Sequence, residues 1–213
     1  MDSHHSFVTD VMPLSAVLSV GIVDTDMGYG VEKARALAAE LLGGDEDRWR
    51  HTVGVAEYAG TLTVLVPPED AEVLMVAAWL HDIGYSSILA DTGLHPLDGA
   101  QFLDQQGWPA RTCALVAHHS GTRYLAHARG LDDELGRHHD EQSVVSDALT
   151  YADQRVGPYG QRMSVHARLA DKVSRHGPDS VQAQVRGDRD PYLLGVADRI
   201  EELLRTADDA ARP

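Results

Sequence analysis

Val73-Leu-Met-Val-Ala-Ala-Trp-Leu80 runs straight into His81-Asp82-Ile83-Gly84. A continuous apolar run with no alternation reads as a helix that is apolar nearly all round, and such a helix belongs at the centre of a core. The break at Pro67-Pro68 sets its start, so the expected span is Glu69–Leu80. Ile83-Gly84 then ends it with the permissive glycine common at helix termini. A histidine and an aspartate at the mouth of a buried helix are costly unless something pairs with them.

Helical signals continue on both sides. Val31–Leu42 is Ala-rich and stops at Gly43-Gly44. Asp45–Asp47 supply acidic residues for the start of the next helix, which runs to about Val66. In it His51 shares a face with Val55, Tyr58 and Leu62, at offsets of four, seven and eleven, and so points inward. After the loop Asp91-Thr-Gly93, His95-Pro96 opens a helix to about Gln105, with proline at a permitted early position. Ala110–His119 follows Gly107-Trp108-Pro109, and Ala114 and Ala117 lie on the side of His118. Trp79 and Trp108 read as core and loop packing. Val144–Ala152 leads by steps of four from Val145 and Leu149 to an inward Asp153. Ser164–Arg175 and the amphipathic Pro191–Thr206 complete the set. Leu131–Gln142, with His138-His139, has no apolar period and reads as a solvated segment whose histidines are not ligands. Residues 1–30 read as an irregular arm ending in Met27-Gly-Tyr-Gly30, with His4 and His5 as bystanders. The expected fold is all-α: one helical domain over residues 31–213, with its chemistry between about 48 and 156.

Composition narrows the function. At 213 residues the chain suits one well-formed core. A formal net charge of −15, with Lys33 and Lys172 as the only lysines, argues against a protein that coats duplex nucleic acid through its phosphates. A small phosphorylated ligand stays compatible, because bound divalent cations reverse the sign locally. Cys113 is the only cysteine, which forbids an intrachain disulfide and fits a reducing compartment; its apolar flanks make it a core residue. Val11–Val20 resembles a signal h-region only superficially, since it contains Pro13 and follows Asp2 and Asp10 rather than a basic stretch. No run reaches the roughly 18–20 apolar residues that span a bilayer. The expectation is a cytoplasmic protein without membrane partners. The apolar arm at 11–23 offers a surface to cover a groove or to pair two copies into a homo-oligomer.

Taken together, the polar residues on inward faces suggest a metal site. His51, His81, Asp82 and Asp153 offer one cation two imidazoles and two carboxylates. His95 and His118, with His119 beside them, offer a second cation its ligands, with Asp82 bridging. Nitrogen and oxygen donors without thiolate suit iron, manganese, cobalt or zinc. A structural zinc site would use closely spaced cysteines, which are absent.

The order His51 … His81-Asp82 … His95 … His118-His119 … Asp153 resembles the HD-domain superfamily of metal-dependent phosphohydrolases. Leu80-His-Asp-Ile-Gly84 resembles the HDIG form, and His95-Pro-Leu-Asp-Gly-Ala100 the helix start seen with it. Tyr151-Ala-Asp153 is similar to the stretch that carries the last metal aspartate, and Gly157-Pro-Tyr-Gly … His166-Ala-Arg-Leu-Ala170 to a continuation found in bacterial members of this size. The resemblance implies an all-helical core holding one or two divalent metals. His51, His81, Asp82 and Asp153 would bind the first, His95 and His118 the second, and Asp82 would bridge. His119 is left as a ligand, a hydrogen-bond partner of a ligand, or a proton donor. It implies hydrolysis of a phosphomonoester or phosphodiester in a small nucleotide-like substrate by metal-activated water, with Asp82 and His119 in catalytic roles. Arg123 and Arg155 are the candidate phosphate clamps. Two departures stand out. Ser120-Gly121-Thr122-Arg123 replaces the glycine-tyrosine-proline signature of the cyclic-dinucleotide branch, and Tyr85 stands where many relatives carry lysine. The rival readings are a mixed-valence di-iron oxygenase of the same fold and a non-catalytic, metal-stabilised sensor or scaffold.

Overall fold

The computed structural model describes residues 29–210 and Arg212, so the arm at 1–28, with His4, His5 and the apolar segment 11–23, lies outside the described residues. The chain is all-α, and the described residues contain no strand, only one isolated antiparallel bridge between Val156 and Arg162. We number the α-helices in chain order: α1 Val31–Leu42, α2 Glu46–Leu62, α3 Ala71–Leu80, α4 His95–Gln105, α5 Ala110–His118 and α6 Thr122–Arg129. They continue as α7 Asp132–Leu135, α8 Val144–Gln154, α9 Val165–His176, α10 Val181–Gln184 and α11 Arg186–Ala210. Among the described residues, no helix is long and apolar enough to cross a membrane.

The apolar run is the hub. Helix α3 packs against α1, α2, α5 and α8. Its Leu74, Ala77, Ala78 and Leu80 are fully buried, and each leucine so buried stabilises the fold by about 1.5–3 kcal/mol. Starts are set as the side chains dictate. Asp45 accepts the Arg48 amide at 3.0 Å to cap α2, and Ser143 and Ser146 form a reciprocal capping box at the head of α8. Trp79 stacks on Trp49, and Trp108 is buried against Tyr29. Cys113 is buried, with its thiol against the Trp108 carbonyl and its pKa pushed up to about 11 by burial.

Three expectations need correcting. The segment after α6 is not simply solvated: α7 forms within it, Leu135 is buried, and the His138 carbonyl receives a hydrogen bond from His118. The last helix begins at Arg186 rather than Pro191, so the proline sits in its second turn, where its ring lacks the N–H that would bond back along the helix. Gly84 does not act as a left-handed helix cap either. A Cβ there would overlap the His95 carbonyl oxygen and lie 2.7 Å from the Gly99 nitrogen, so its role is to let the turn after Asp82 press against the start of α4.

Candidate metal centre

Four segments converge on Asp82, which is 3 % exposed. Its two carboxylate oxygens face different partners. Oδ2 lies 3.5 Å from His51 Nε2 of α2, 3.4 Å from His81 Nε2 and 2.6 Å from Arg48 Nη1. Oδ1 lies 3.2 Å from His95 Nε2 at the start of α4 and 3.8 Å from His119 Nε2 after α5. Asp153, near the end of α8, places Oδ1 3.1 Å from His51 Nε2. Two groups of ligand atoms are compact enough to hold a cation: His51, His81 and Asp153, and His81, Asp82 and His119. Asp82 thus has imidazoles against both of its carboxylate oxygens.

The hydrogen bonds on the far side of each ring decide what these nitrogens can do. His51 Nδ1 donates to the Gly157 carbonyl at 3.0 Å, His81 Nδ1 to Ala78 at 2.8 Å and His119 Nδ1 to Val116 at 2.7 Å. A carbonyl oxygen only accepts, so each Nδ1 carries a proton, and it is Nε2 that turns inward, with a lone pair free to bind a cation whenever the ring is neutral. Nε2 of His51 and of His81 is buried without a hydrogen-bond partner. Lone pairs set against carboxylate oxygens repel unless positive charge lies between them. Two donors on one cation, each about 2.0–2.2 Å from it, stand roughly 3–3.6 Å apart, close to the separations observed. The donor set therefore fits a divalent transition metal, and the carbonyl bonds are the ring-orienting contacts such ligands require.

The electrostatics agree. Burial alone would raise the Asp82 carboxyl, but His81 and Arg48 outweigh it and hold the group well below its ordinary range. Asp153 is likewise held low against its burial by Lys172 and His51. Burial, then His81 and His95, push His119 down to about 3, so its ring is neutral and is not a ready proton donor. Burial works against charge on His81 too, yet Asp82 draws its pKa upward: the carboxylate favours positive charge at that nitrogen.

The structure separates the two consecutive histidines. Helix α5 ends at His118, and His119 turns extended (φ −59°, ψ 152°), before Ser120 and Gly121 adopt left-handed backbone. That break sends His119 into the centre. His118, expected as a second-metal ligand, instead donates Nε2 to the His138 carbonyl at 2.8 Å, and it is His119 that faces Asp82. Helical periodicity cannot foresee this, because the helix stops between the two. Ser120 is held in its left-handed turn by the Thr150 hydroxyl, 3.1 Å from its amide, and its own hydroxyl donates to Asp153. A non-glycine residue in that region stores strain of about 1–2 kcal/mol, which these contacts offset.

Arg123 and Arg155 are also misplaced as phosphate clamps. Arg123 stacks over Tyr192, 4.3 Å from the ring centroid, with Nη1 3.4 Å from Asp140. Arg155 donates Nε to the Met163 carbonyl at 2.8 Å and Nη1 to the Tyr151 hydroxyl. Neither borders the cavity of about 110 Å³ that opens on Asp82, His95, His119 and Asp153. Its cations are Arg48, Arg168, Lys172, Arg175 and Arg189. A signal for them existed in the sequence: Arg48 stands one helical turn before His51, and Arg168, Lys172 and Arg175 recur at offsets of four and seven along α9. Tyr85, at the rim, lies between the His95 ring (3.8 Å between centroids) and the Arg48 guanidinium (3.7 Å), so it orients both. A separate cleft of about 950 Å³ is lined by other residues, including His138 and His139.

An all-helical fold wrapped around a buried histidine–aspartate centre is the architecture of a metal-dependent protein of the HD type. A family model of the HD domain matches residues 48–175, and the chain belongs to that family. Searches of curated proteins and of solved structures each returned no match.

Proposed function

We propose that the protein is a phosphohydrolase that cleaves a phosphomonoester or phosphodiester of a small nucleotide-like substrate at a centre of one or two divalent metals. The observation that carries this reading is a single buried carboxylate, Asp82, whose two oxygens each face imidazole lone pairs fixed by backbone carbonyls. In this reading His51, His81, Asp82 and Asp153 would hold the first cation, and Asp82, His95 and His119 the second. Divalent cations bound there would lower the pKa of water towards about 7, supplying a nucleophile near neutral pH, and would offset phosphoryl charge.

The chain's own groups do the rest. Arg48 steadies Asp82 and presents its remaining guanidinium donors to the cavity, where a phosphoryl oxygen accepts them. Ser120 holds Asp153 in its ligating orientation, and Tyr85 holds His95. A cavity of about 110 Å³ is far below the roughly 300–1,000 Å³ of sites that enclose a whole drug-sized ligand. It admits the reacting phosphoryl end and leaves the bulk of the substrate at the rim.

The test is metal analysis of anaerobically purified protein, followed by a phosphoester panel on wild type and Asp82→Asn. Hydrolysis by the metal-loaded wild type, lost in the variant, is expected. Metal-replete protein that hydrolyses nothing refutes the reading: oxygen uptake by a di-iron form would then indicate an oxygenase, and a variant that only melts lower would indicate a structural metal.

A further inference from the structure

The chain is acidic overall, with a formal net charge of −15, yet five cationic side chains and two carboxylates line the central cavity. Four of those cations come from beyond the ligand-bearing segments. Arg168, Lys172 and Arg175 stand on α9, and Arg189 on α11, with Gln182 of α10 between them in the wall. Arg168 and Arg189 are only 4 % and 2 % exposed. Removing a guanidinium from water costs several kcal/mol unless its donors are met.

Their known partners do not meet them all. Arg168 reaches Asp153 at 3.7 Å and Asp171 at 3.4 Å, and Arg189 donates to Gln182 and, at 3.2 Å, to Asp190. Arg175 shares Asp171 at 2.9 Å, and Lys172 donates to Gln154 at 3.1 Å. The Nε–H of Arg168 and that of Arg189 are both buried without any acceptor. Two buried guanidinium groups in one cavity wall, each with its donors incompletely met, favour an oxygen-rich anion beside them.

The cluster starts beside the candidate ligands and extends away from them in its partners. Arg48 is bonded to Asp82, and Arg168 and Lys172 stand beside Asp153, whereas the contacts of Arg175 and Arg189 are to Asp171, Gln182 and Asp190. The cavity thus runs from the ligand carboxylates to a second cationic end. Its small volume leaves no room for a sugar or base between the two.

We propose that this far end, formed by Arg175, Gln182 and Arg189 with Arg168, is an anion subsite for a second phosphoryl group directly adjoining the scissile one. The substrate class is then a diphosphate or longer phosphoanhydride chain rather than a lone monophosphate. This rests on the phosphohydrolase reading for the identity of the first phosphoryl group, but not for the existence of the subsite.

Binding of non-hydrolysable phosphonates to the metal-loaded full chain tests it by calorimetry. Methylenediphosphonate should bind wild type at least about tenfold more tightly than methylphosphonate, as one or two charge-assisted contacts allow. Arg189→Lys, which keeps the charge and loses the fork, and Arg175→Gln, at a partly exposed position, should each shrink that ratio severalfold. Arg175→Gln keeps the test valid if the buried Arg189 substitution fails to fold. Equal affinities in wild type overturn the proposal. So does a preference that survives both substitutions, since chelation of the metals alone would then account for it. A protein that shows the subsite but hydrolyses no phosphoester refutes the phosphohydrolase and leaves the subsite standing.

Discussion

Replacing His119 by alanine and, separately, His118 by alanine puts the turn after α5 to its most direct test. His119 Nε2 faces Asp82 Oδ1 from 3.8 Å with its Nδ1 proton committed to Val116, so the alanine variant deletes one of three protein donors proposed for the second cation. Tetrahedral zinc sites bind with about 10–16 kcal/mol over four ligands, or about 2.5–4 kcal/mol per ligand, which corresponds to a loss of about 10²–10³ in affinity. His118 contributes one hydrogen bond, from Nε2 to the His138 carbonyl. Its loss costs about 1 kcal/mol of stability and lowers the melting temperature by about 2–4 °C, without touching metal affinity. The assay is metal content after equilibration against a buffered metal solution, with thermal melting as a check that both variants fold. His119→Ala should lose metal relative to wild type while His118→Ala retains it. If His118→Ala loses as much metal as His119→Ala, or if His119→Ala loses none, the assignment of the inward ring is wrong.

Gly84→Ala should lower stability by about 1–3 kcal/mol and weaken metal binding by pushing His95 away from Asp82. The new Cβ meets backbone on both sides, at the His95 carbonyl and Gly99 nitrogen, whereas Gly44→Ala meets nothing within 4 Å and serves as the control in thermal melts. Equal melting temperatures for the two variants would show that the close approach is unimportant. Chelation should destabilise the protein, since free metal at a hundred times its dissociation constant adds about 2.7 kcal/mol, or about 5–11 °C for a chain of this size. Scanning calorimetry with and without chelator checks it, and Asp82→Asn should show little of the shift. A wild-type melting temperature indifferent to metal would mean that the centre holds none under those conditions.

Much of the fold was legible in local pattern. The apolar run before His81 makes α3 a hub, and the offsets of Val55, Tyr58 and Leu62 from His51 place that ring inward, because burial of an apolar stripe dictates a helix's rotation. The same reasoning carried Asp153 to the inward face of α8. It failed at the ends of helices. His118 lies on the apolar side of α5 by period, but the ring that enters the centre belongs to His119, which lies beyond the last helical turn. Arg123 and Arg155 stand close in sequence to the candidate ligands, yet one stacks on Tyr192 and the other is held by Met163 and Tyr151.

The sequence by itself determined the all-helical class, the ordered histidine and aspartate set, and a lone cysteine that cannot form a multi-thiolate metal site. Those properties follow from residue type and short-range periodicity. Only the tertiary structure decided which of two adjacent imidazoles turns inward, why Gly84 must lack a side chain, and which arginines meet the cavity. Each depends on where separate helices come into contact: α4 against the turn after α3, and α9, α10 and α11 around one end of the cavity. Contact between segments distant in the chain is set by the packing of the whole core, and no local pattern records it. The pair His81-Asp82 marked the chemistry, and the packed helices around it chose the other groups that share it.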